Sequence, residues 1–239
     1  MAECGAEWAE RLAGEAVSLG GALCRRGPER DKLRSCAAGL AAAAAAFRHA
    51  RHLALAALRA ALQPRLHAWA LHLAAPLPAQ AASDADADAL IEELEEEAAA
   101  LPAALEVLAS AAREALPGAA EELLTGVVGE LAARAEQAML RHQYDRVGVE
   151  GGVGVRVREG GLGVERRARR MAAWAGSAAG GARERCARVT QCAALLGLEP
   201  VSHAADALQP APRLSPKDAR DLLARRTDFK MEEIKRLKL

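Results

Sequence analysis

The chain has 239 residues, of which 32 are basic and 32 are acidic, so its formal charge is zero. This balance argues against a dedicated nucleic-acid surface, because binding to phosphates requires a basic excess. Hydrophobic residues make up 51% of the chain, which excludes compositional disorder. Alanine dominates this fraction, so we expect many helices that each bury little area.

Cysteine usage and hydropathy indicate the cellular compartment in which the protein resides. The five cysteines are odd in number and form no C-x-x-C pair, as is typical of reduced cytosolic thiols. The N-terminus carries acids where a signal peptide carries bases. No stretch reaches the roughly 18 uninterrupted apolar residues of a membrane span. We therefore expect a protein that is soluble or peripheral to a membrane.

The first long helix is predicted over residues 29–75, after an N-terminal helical extension at 1–28. Its apolar residues recur at helical spacing and predict one buried stripe: Leu33, Leu40, Phe47, Leu55, Leu58, Leu62, Leu66 and Trp69. Pro64 is expected to kink or split this helix, since proline lacks the backbone donor. Pro76 and Pro78 are expected to end it.

Two further helices follow. Ser83 or Asp84 is the predicted N-cap of the second, which opens on eight acids and no base at 84–97, as suits a helix N-terminus. Its predicted apolar face consists of Leu90, Ile91, Leu94, Leu101, Leu105 and Leu108. After a turn at Pro117 and Gly118, a third helix is predicted over 119–146. Its predicted stripe includes Leu123, Leu124, Val127, Leu131 and Met139.

Residues 147–164 alternate valine with glycine and have no helical period. A short hairpin is one interpretation, but so much glycine weakens a strand, and we interpret the segment as a flexible loop. A fourth helix is predicted over 165–198, with an interruption near Gly180 and Gly181.

The C-terminal region begins with a linker around Pro210 and Pro212. Two short helices are predicted over 216–225 and 229–237. Ser215 is the predicted N-cap of the first and is followed by proline at the first helical position, and Asp228 is the N-cap candidate for the second. The predicted organisation is an extension (1–28), a helical bundle with the loop at 147–164 (29–208), and a C-terminal helical subdomain (209–239).

No residue pattern predicts catalysis, a cofactor or a metal. His49 and His52, and likewise His67 and His72, share a helix, but H-E-x-x-H is absent and solvated or rim histidines are the preferred interpretation. The glycine-rich loop lacks both G-x-G-x-x-G and the Walker pattern, so a phosphate site is disfavoured. The acids at 84–97 are interpreted as a solvated face rather than catalytic carboxylates.

Two features leave alternatives open. Cys186 and Cys192 lie on a basic helix, which would lower a thiol pKa slightly, although buried small residues are the preferred interpretation. The cluster at 156–170 holds six arginines and two acids. It either contacts anionic lipid or an acidic partner helix, or it is a solvated face that pairs with the acidic run.

The C-terminal segments resemble a known family. Residues 213–220 read RLSPKDAR, and residues 228–239 read DFKMEEIKRLKL. They resemble the end of subunit 4 of the conserved oligomeric Golgi complex, which reads R-L-T-P-x-E-V-R and then D-F-x-x-E-x-I-K-R-L-x-L. Further matches are ARVTQ at 187–191, QYDRVG at 143–148, KLRSC at 32–36, the Phe47-Arg48 pair, and Pro64 with Trp69.

The resemblance covers roughly residues 25–239, which correspond to the last third of a family member. It implies an all-α fold of elongated, stacked helical bundles of the multisubunit tethering-complex type, with a small C-terminal helical subdomain. Residues 149–160 resemble an insertion. Since the family's N-terminal two thirds have no counterpart here, we expect a truncated gene product or gene model.

The implied function is non-enzymatic and requires no cofactor. Family members organise vesicle docking in intra-Golgi retrograde transport and so maintain protein glycosylation. The implied partners are other subunits of the complex, SNARE proteins and small GTPases, with peripheral association at the cytoplasmic face of the Golgi membrane and no nucleic acid.

The matched segments also single out residues. Arg188 lies in the A-R-x-[ST]-Q match, and Asp218 replaces a family glutamate. We hypothesise that they face each other between the fourth helix and the terminal subdomain, where the alternative is two independent surface charges. Further interaction or structural positions implied by the matches are Arg146, Arg220, Phe229 and Ile234.

A second function class is a stand-alone amphipathic protein on a membrane surface, with arginines toward the lipid. Such helices carry bulky apolar residues on one face, whereas aromatic residues are only 3% here and acids equal bases. Both facts disfavour it, and an enzyme ranks third.

Overall fold

The computed structural model describes residues 2–23, 27–75, 77–78, 84–116, 118–144, 158–209 and 211–237. The chain divides into two compact units, Met1–Leu62 and Gln63–Leu239. This boundary lies inside a helix, whereas the division at residues 28 and 208 stays a prediction.

The described residues are helical almost throughout, and the predicted all-α class is confirmed. The nine helices of this part of the chain are α1 (Ala2–Leu23), α2 (Gly27–Ala74), α3 (Asp84–Ala115), α4 (Ala120–Met139), α5 (Gly161–Ala178), α6 (Ala182–Leu196), α7 (Ala204–Leu208), α8 (Pro216–Leu223) and α9 (Met231–Arg236). Two short strands, β1 (Leu77–Pro78) and β2 (Arg158–Glu159), pair antiparallel, with Leu77 opposite Glu159.

The first unit consists of α1 and the N-terminal part of α2. Its buried side chains on α2 are Ala37, Ala44 and Leu55, which share one helix face. Phe47 and Leu58 are 42% and 40% exposed, so the prediction that they belong to the buried stripe is wrong. The buried face of α2 is instead the one that carries Ala37, Ala44 and Leu55. Two of these three residues are alanine, and their small side chains allow another segment to approach closely. An ion pair between Arg48 and Glu10 joins the two helices.

Pro64 does not split α2, which continues through it to Ala74. Proline removes one backbone donor from the helix, and the Pro64 ring is exposed. Beyond Pro64, Leu66, Leu73 and Ala74 are buried. The helix ends before Pro76, as predicted.

All five predicted core positions of α4, from Leu123 to Met139, are buried. The helix ends at Met139, so its predicted extension to residue 146 is wrong. The backbone leaves the helix because Tyr144 pairs with the turn after α8. Its N–H donates to Arg225 O and its carbonyl accepts from Thr227 N, both at 2.8 Å.

The glycine-rich segment is helical at its C-terminal end, because α5 begins at Gly161. The loop prediction is therefore wrong for residues 161–164, while residues 145–157 lie outside the described part of the chain. A Cβ added at Gly161 would overlap the carbonyl group of Leu196, at the end of α6. Glycine is thus required by packing, since α5 and α6 form the most extensive helix pair among the described residues.

The last helices begin largely as expected. The break between α5 and α6 falls at 179–181, which confirms the predicted interruption. Ser215 caps α8, because its Oγ accepts the Asp218 N–H at 3.1 Å and Pro216 follows it. The N-cap of α9 is Lys230, so the Asp228 prediction is wrong. The Asp228 carboxylate binds Arg226 instead.

We expect Gly161→Ala to destabilise the second unit by about 2 kcal/mol or more, because its methyl group overlaps backbone that cannot move away. Gly129→Ala is the control, since a Cβ there meets only the flexible Arg185 side chain, at 3.7 Å. That variant should gain about 0.5–1 kcal/mol through helix propensity. Urea unfolding followed by circular dichroism measures both, and equal stability of the two variants would contradict this role of Gly161.

Candidate interaction site

The second unit contains an open cleft of about 640 Å³ between α4, α6 and the C-terminal helices. Its lining combines apolar side chains with charges of both signs: Glu136, Leu140, Arg188, Cys192, Leu214, Asp218, Asp221, Leu222, Ala224, Arg225 and Met231. The buried Cys192, Leu214 and Leu222 form the floor of the cleft, and more exposed side chains, among them Asp221, Arg225 and Met231, form its rim.

Arg188 forms the wall of this cleft. Its Nε donates to both carboxylate oxygens of Glu136 at 2.9 Å, and its Nη2 lies 3.1 Å from Asp218 Oδ2. Its Nη1 donates to the Arg213 carbonyl at 2.9 Å. The hypothesis of a direct pair with Asp218 is confirmed, and the alternative of independent surface charges is wrong. One guanidinium group thus joins α4, α6, α8 and the linker before α8.

Asp218 is kept ionised by this arrangement. The hydrogen bond from Arg188 lowers the pKa of its carboxyl group below the ordinary value of 3.8, and the Ser215 hydroxyl and N–H add to this effect. Its side chain is 43% exposed. The pair therefore fixes geometry more than it adds stability, because solvent screens exposed ion pairs.

Cys192 lies at the floor of the cleft, and Cys186 lies six residues earlier on α6. Both are buried, and burial raises the pKa of each thiol from 9.0 to about 12. The predicted slight lowering is therefore wrong, and the interpretation as buried small residues is confirmed. Such protonated thiols are poor nucleophiles at neutral pH.

Arg226 was not predicted, yet it is only 3% exposed and connects α6 to the C-terminal helices. Its Nη1 donates to the carbonyls of Leu196 and Leu198, and its Nε and Nη2 bind Asp228 at 2.8 and 2.7 Å. Its guanidinium lies 4.2 Å from the centre of the Phe229 ring, a cation–π distance. The only feature of the sequence that could have indicated this buried ion pair is the two-residue spacing of Arg226 and Asp228 between two short predicted helices.

The basic cluster contains a second buried arginine. Arg167 is 2% exposed and donates from Nε to Leu73 O at 3.4 Å and from Nη2 to Ala75 O. Tyr144 Oη donates to Ala74 O at 2.7 Å. Together they satisfy carbonyls at the end of α2, which a helix C-terminus leaves without partners. Arg167 is thus neither a contact for lipid or a partner helix nor part of a solvated face. In the exposed Arg169, Nη2 lies 2.5 Å from Glu165 Oε1.

The other singled-out residues hold the C-terminal helices together. Arg220 Nη2 donates to Leu237 O at 3.1 Å, which ties α8 to the end of α9. Phe229 lies under Arg226, and Ile234 is buried. Arg146 lies outside the described residues. The role of these positions in binding partners stays a prediction.

Gln191, in the matched segment at 187–191, fixes the linker before α8. Its Nε2 donates to Leu208 O at 3.1 Å, and its Oε1 accepts from Arg213 N at 2.6 Å. The linker is thereby held against α6 by its backbone, which explains how a segment without regular structure keeps one path.

No protein-family model matches the chain, and no curated protein matches it in sequence. Within the described ranges, no helix is both long and apolar enough to cross a membrane. The same residues contain no group of three or more His, Cys, Asp or Glu side chains arranged to hold a metal ion.

We expect Arg226→Ala to cost about 1–3 kcal/mol or more, because it leaves the buried Leu196 carbonyl without this donor and removes the ion pair with Asp228. The control is Arg225→Ala, which removes an exposed arginine next to it and should change stability by less than about 0.5 kcal/mol. Chemical unfolding measures the difference, and similar losses in the two variants would refute the role assigned to Arg226.

We expect Asp218→Asn to lower the melting temperature at pH 7, since the amide lacks the charge that binds Arg188. The pKa of this carboxyl is lowered by folding, so its contribution is present above the unfolded value and is lost as pH falls through the folded pKa. The difference from wild type should therefore shrink as the pH falls through this lowered pKa. Asp221→Asn, an exposed acid on the same helix, is the control. A difference that stays constant with pH would exclude this ion pair as its source.

Proposed function

We propose that this chain is a non-enzymatic subunit of a Golgi vesicle-tethering complex, of the subunit 4 type that its matched segments resemble. It supports intra-Golgi retrograde transport and glycosylation homeostasis through protein–protein contacts. It associates peripherally with the cytoplasmic face of the Golgi membrane, and its partners are other subunits of the complex, SNARE proteins and small GTPases.

The observation that carries this proposal is the Arg188–Asp218 pair. The family resemblance alone selected these two positions, which are 30 residues apart in sequence, and their charged groups meet at 3.1 Å. Two surface charges chosen without structural knowledge have no reason to meet. Their contact therefore supports the alignment of these segments with the family.

The cleft is suited to contacts of this kind. Arg188 is held by Glu136, Asp218 and the Arg213 carbonyl, so this wall of the cleft is fixed before a partner binds. Preorganised surfaces bind at lower entropic cost. Met231 is 53% exposed at the rim. Methionine is flexible and polarisable, and it adapts to the shape of a partner.

Affinity capture of the tagged chain from its own cells tests this function, and we expect it to recover other subunits of the Golgi complex. A rim variant, Arg225→Glu with Met231→Glu, changes two exposed cleft residues and should recover less of them. The matched control is Arg185→Glu, an exposed arginine on α6 that does not line the cleft. Circular dichroism verifies that all three proteins are folded.

Recovery of no Golgi tether subunit by the wild-type chain would overturn the proposal. Flotation of the purified chain with anionic vesicles, in the absence of other subunits, would favour the membrane-surface protein instead. Equal capture by the wild type and the rim variant would assign the contacts to another surface and leave the assembly itself supported.

A further inference from the structure

Ser215 occupies a distinctive position in the sequence and in the fold. It is the only serine or threonine of the chain that precedes a proline. Its side chain is exposed, and its backbone is extended, with φ −69° and ψ 154°. The flanking residues 211–213 and 216–217 are exposed as well, whereas Leu214, directly before Ser215, is buried. An exposed, extended Ser-Pro step is the substrate form that proline-directed protein kinases recognise.

The hydroxyl of Ser215 lies within the network around Arg188. Its oxygen accepts the Asp218 N–H at 3.1 Å, and the Asp218 carboxylate in turn lies 3.1 Å from Arg188 Nη2. On the other side of Ser215, the carbonyl of Arg213 accepts from Arg188 Nη1 at 2.9 Å. A group attached to the Ser215 oxygen is therefore next to the contact that joins α6 to α8.

We propose that Ser215 is a phosphorylation site for a proline-directed protein kinase, and that the phosphate competes with Asp218 for Arg188. In this step the Ser215 oxygen attacks the γ-phosphorus of ATP and an O–P bond forms. The bond from the γ-phosphorus to the bridging oxygen breaks and ADP leaves, while the serine proton passes to a base of the kinase.

The exchange of partners follows from charge. The phosphate brings a charge of about −1.5 to −2 and three strong acceptor oxygens next to the Asp218 carboxylate, which it repels. Arginine binds phosphate through paired hydrogen bonds, so Arg188 has a more highly charged partner within the same network. At the start of α8 the phosphate is itself favoured by the helix dipole. Phosphorylation thus keeps the helix but replaces the side chain that fixes it to α6.

Access to Ser215 requires local opening of the linker and of the first turn of α8. The helix that it caps is only eight residues long, and the linker before it has no regular secondary structure at 211–215. Presentation of residues 211–217 to a kinase frays this turn, breaks the contact of Gln191 with Arg213 and withdraws the buried Leu214, while Leu222 and Leu223 remain in the core. Terminal turns of this kind open at low free-energy cost.

The site is tested with the purified full chain, a proline-directed kinase and magnesium ATP. Peptide mass spectrometry should find phosphate on Ser215. Ser215→Ala and Pro216→Ala should both lose this signal, and Pro216→Ala retains the capping hydroxyl, so the loss reports on kinase recognition. Absence of phosphate on Ser215 in the wild type, or undiminished phosphorylation of Pro216→Ala, would overturn the assignment.

The exchange is tested by comparing phosphorylated and unmodified proteins. In the unmodified chain Asp218→Asn lowers the melting temperature by removing the partner of Arg188. In the phosphorylated chain this loss should be reduced, whereas the loss caused by Arg188→Gln should persist. An undiminished effect of Asp218→Asn after phosphorylation would show that the phosphate does not compete for Arg188.

Discussion

The carbonyl groups at the C-terminal end of α6 meet one buried cation, Arg226, and the arrangement of the second unit depends on this contact. The same guanidinium binds Asp228 and covers Phe229, so it fixes the turn between α8 and α9. The first residue of α5, Gly161, also abuts the Leu196 carbonyl. One helix end therefore positions α5 and both terminal helices, and removal of a partner from a buried cation is strongly destabilising.

Tyr144 links this end to a second capped helix. Its backbone pairs with Arg225 and Thr227, while its hydroxyl donates to Ala74 at the end of α2. Arg167, from α5, binds carbonyls of that same end. The backbone of Tyr144 and the side chains of Tyr144, Arg226 and Arg167 thus connect the ends of α2 and α6 with α5. Alanine-rich helices bury little area, so such contacts determine which helix ends meet.

Arg188 differs from Arg226 in the exposure of its side chain and in its structural role. Its side chain is 42% exposed, against 2% for the side chain of Arg226. Water and ions reach the first and screen it, so its partners can be exchanged without unfolding the helices. The two arginines therefore have different roles. Arg226 holds the terminal helices in place, and Arg188 joins α8 to α6 beside the cleft.

The sequence by itself determined the helical class, the break near Gly180 and the cap at Ser215, because these depend on neighbours within one or two turns. The pairing of Arg188 with Asp218 was also predictable, through the matched segments. Only the tertiary structure decided that Gly161 begins a helix, that α4 ends at Met139 and that Arg226 and Arg167 are buried. Each of these depends on a carbonyl or turn more than 25 residues away in sequence, as with Arg226 and Leu198, which are 28 residues apart. No local pattern encodes such a partner, since glycine alone indicates a loop and arginine alone indicates a surface.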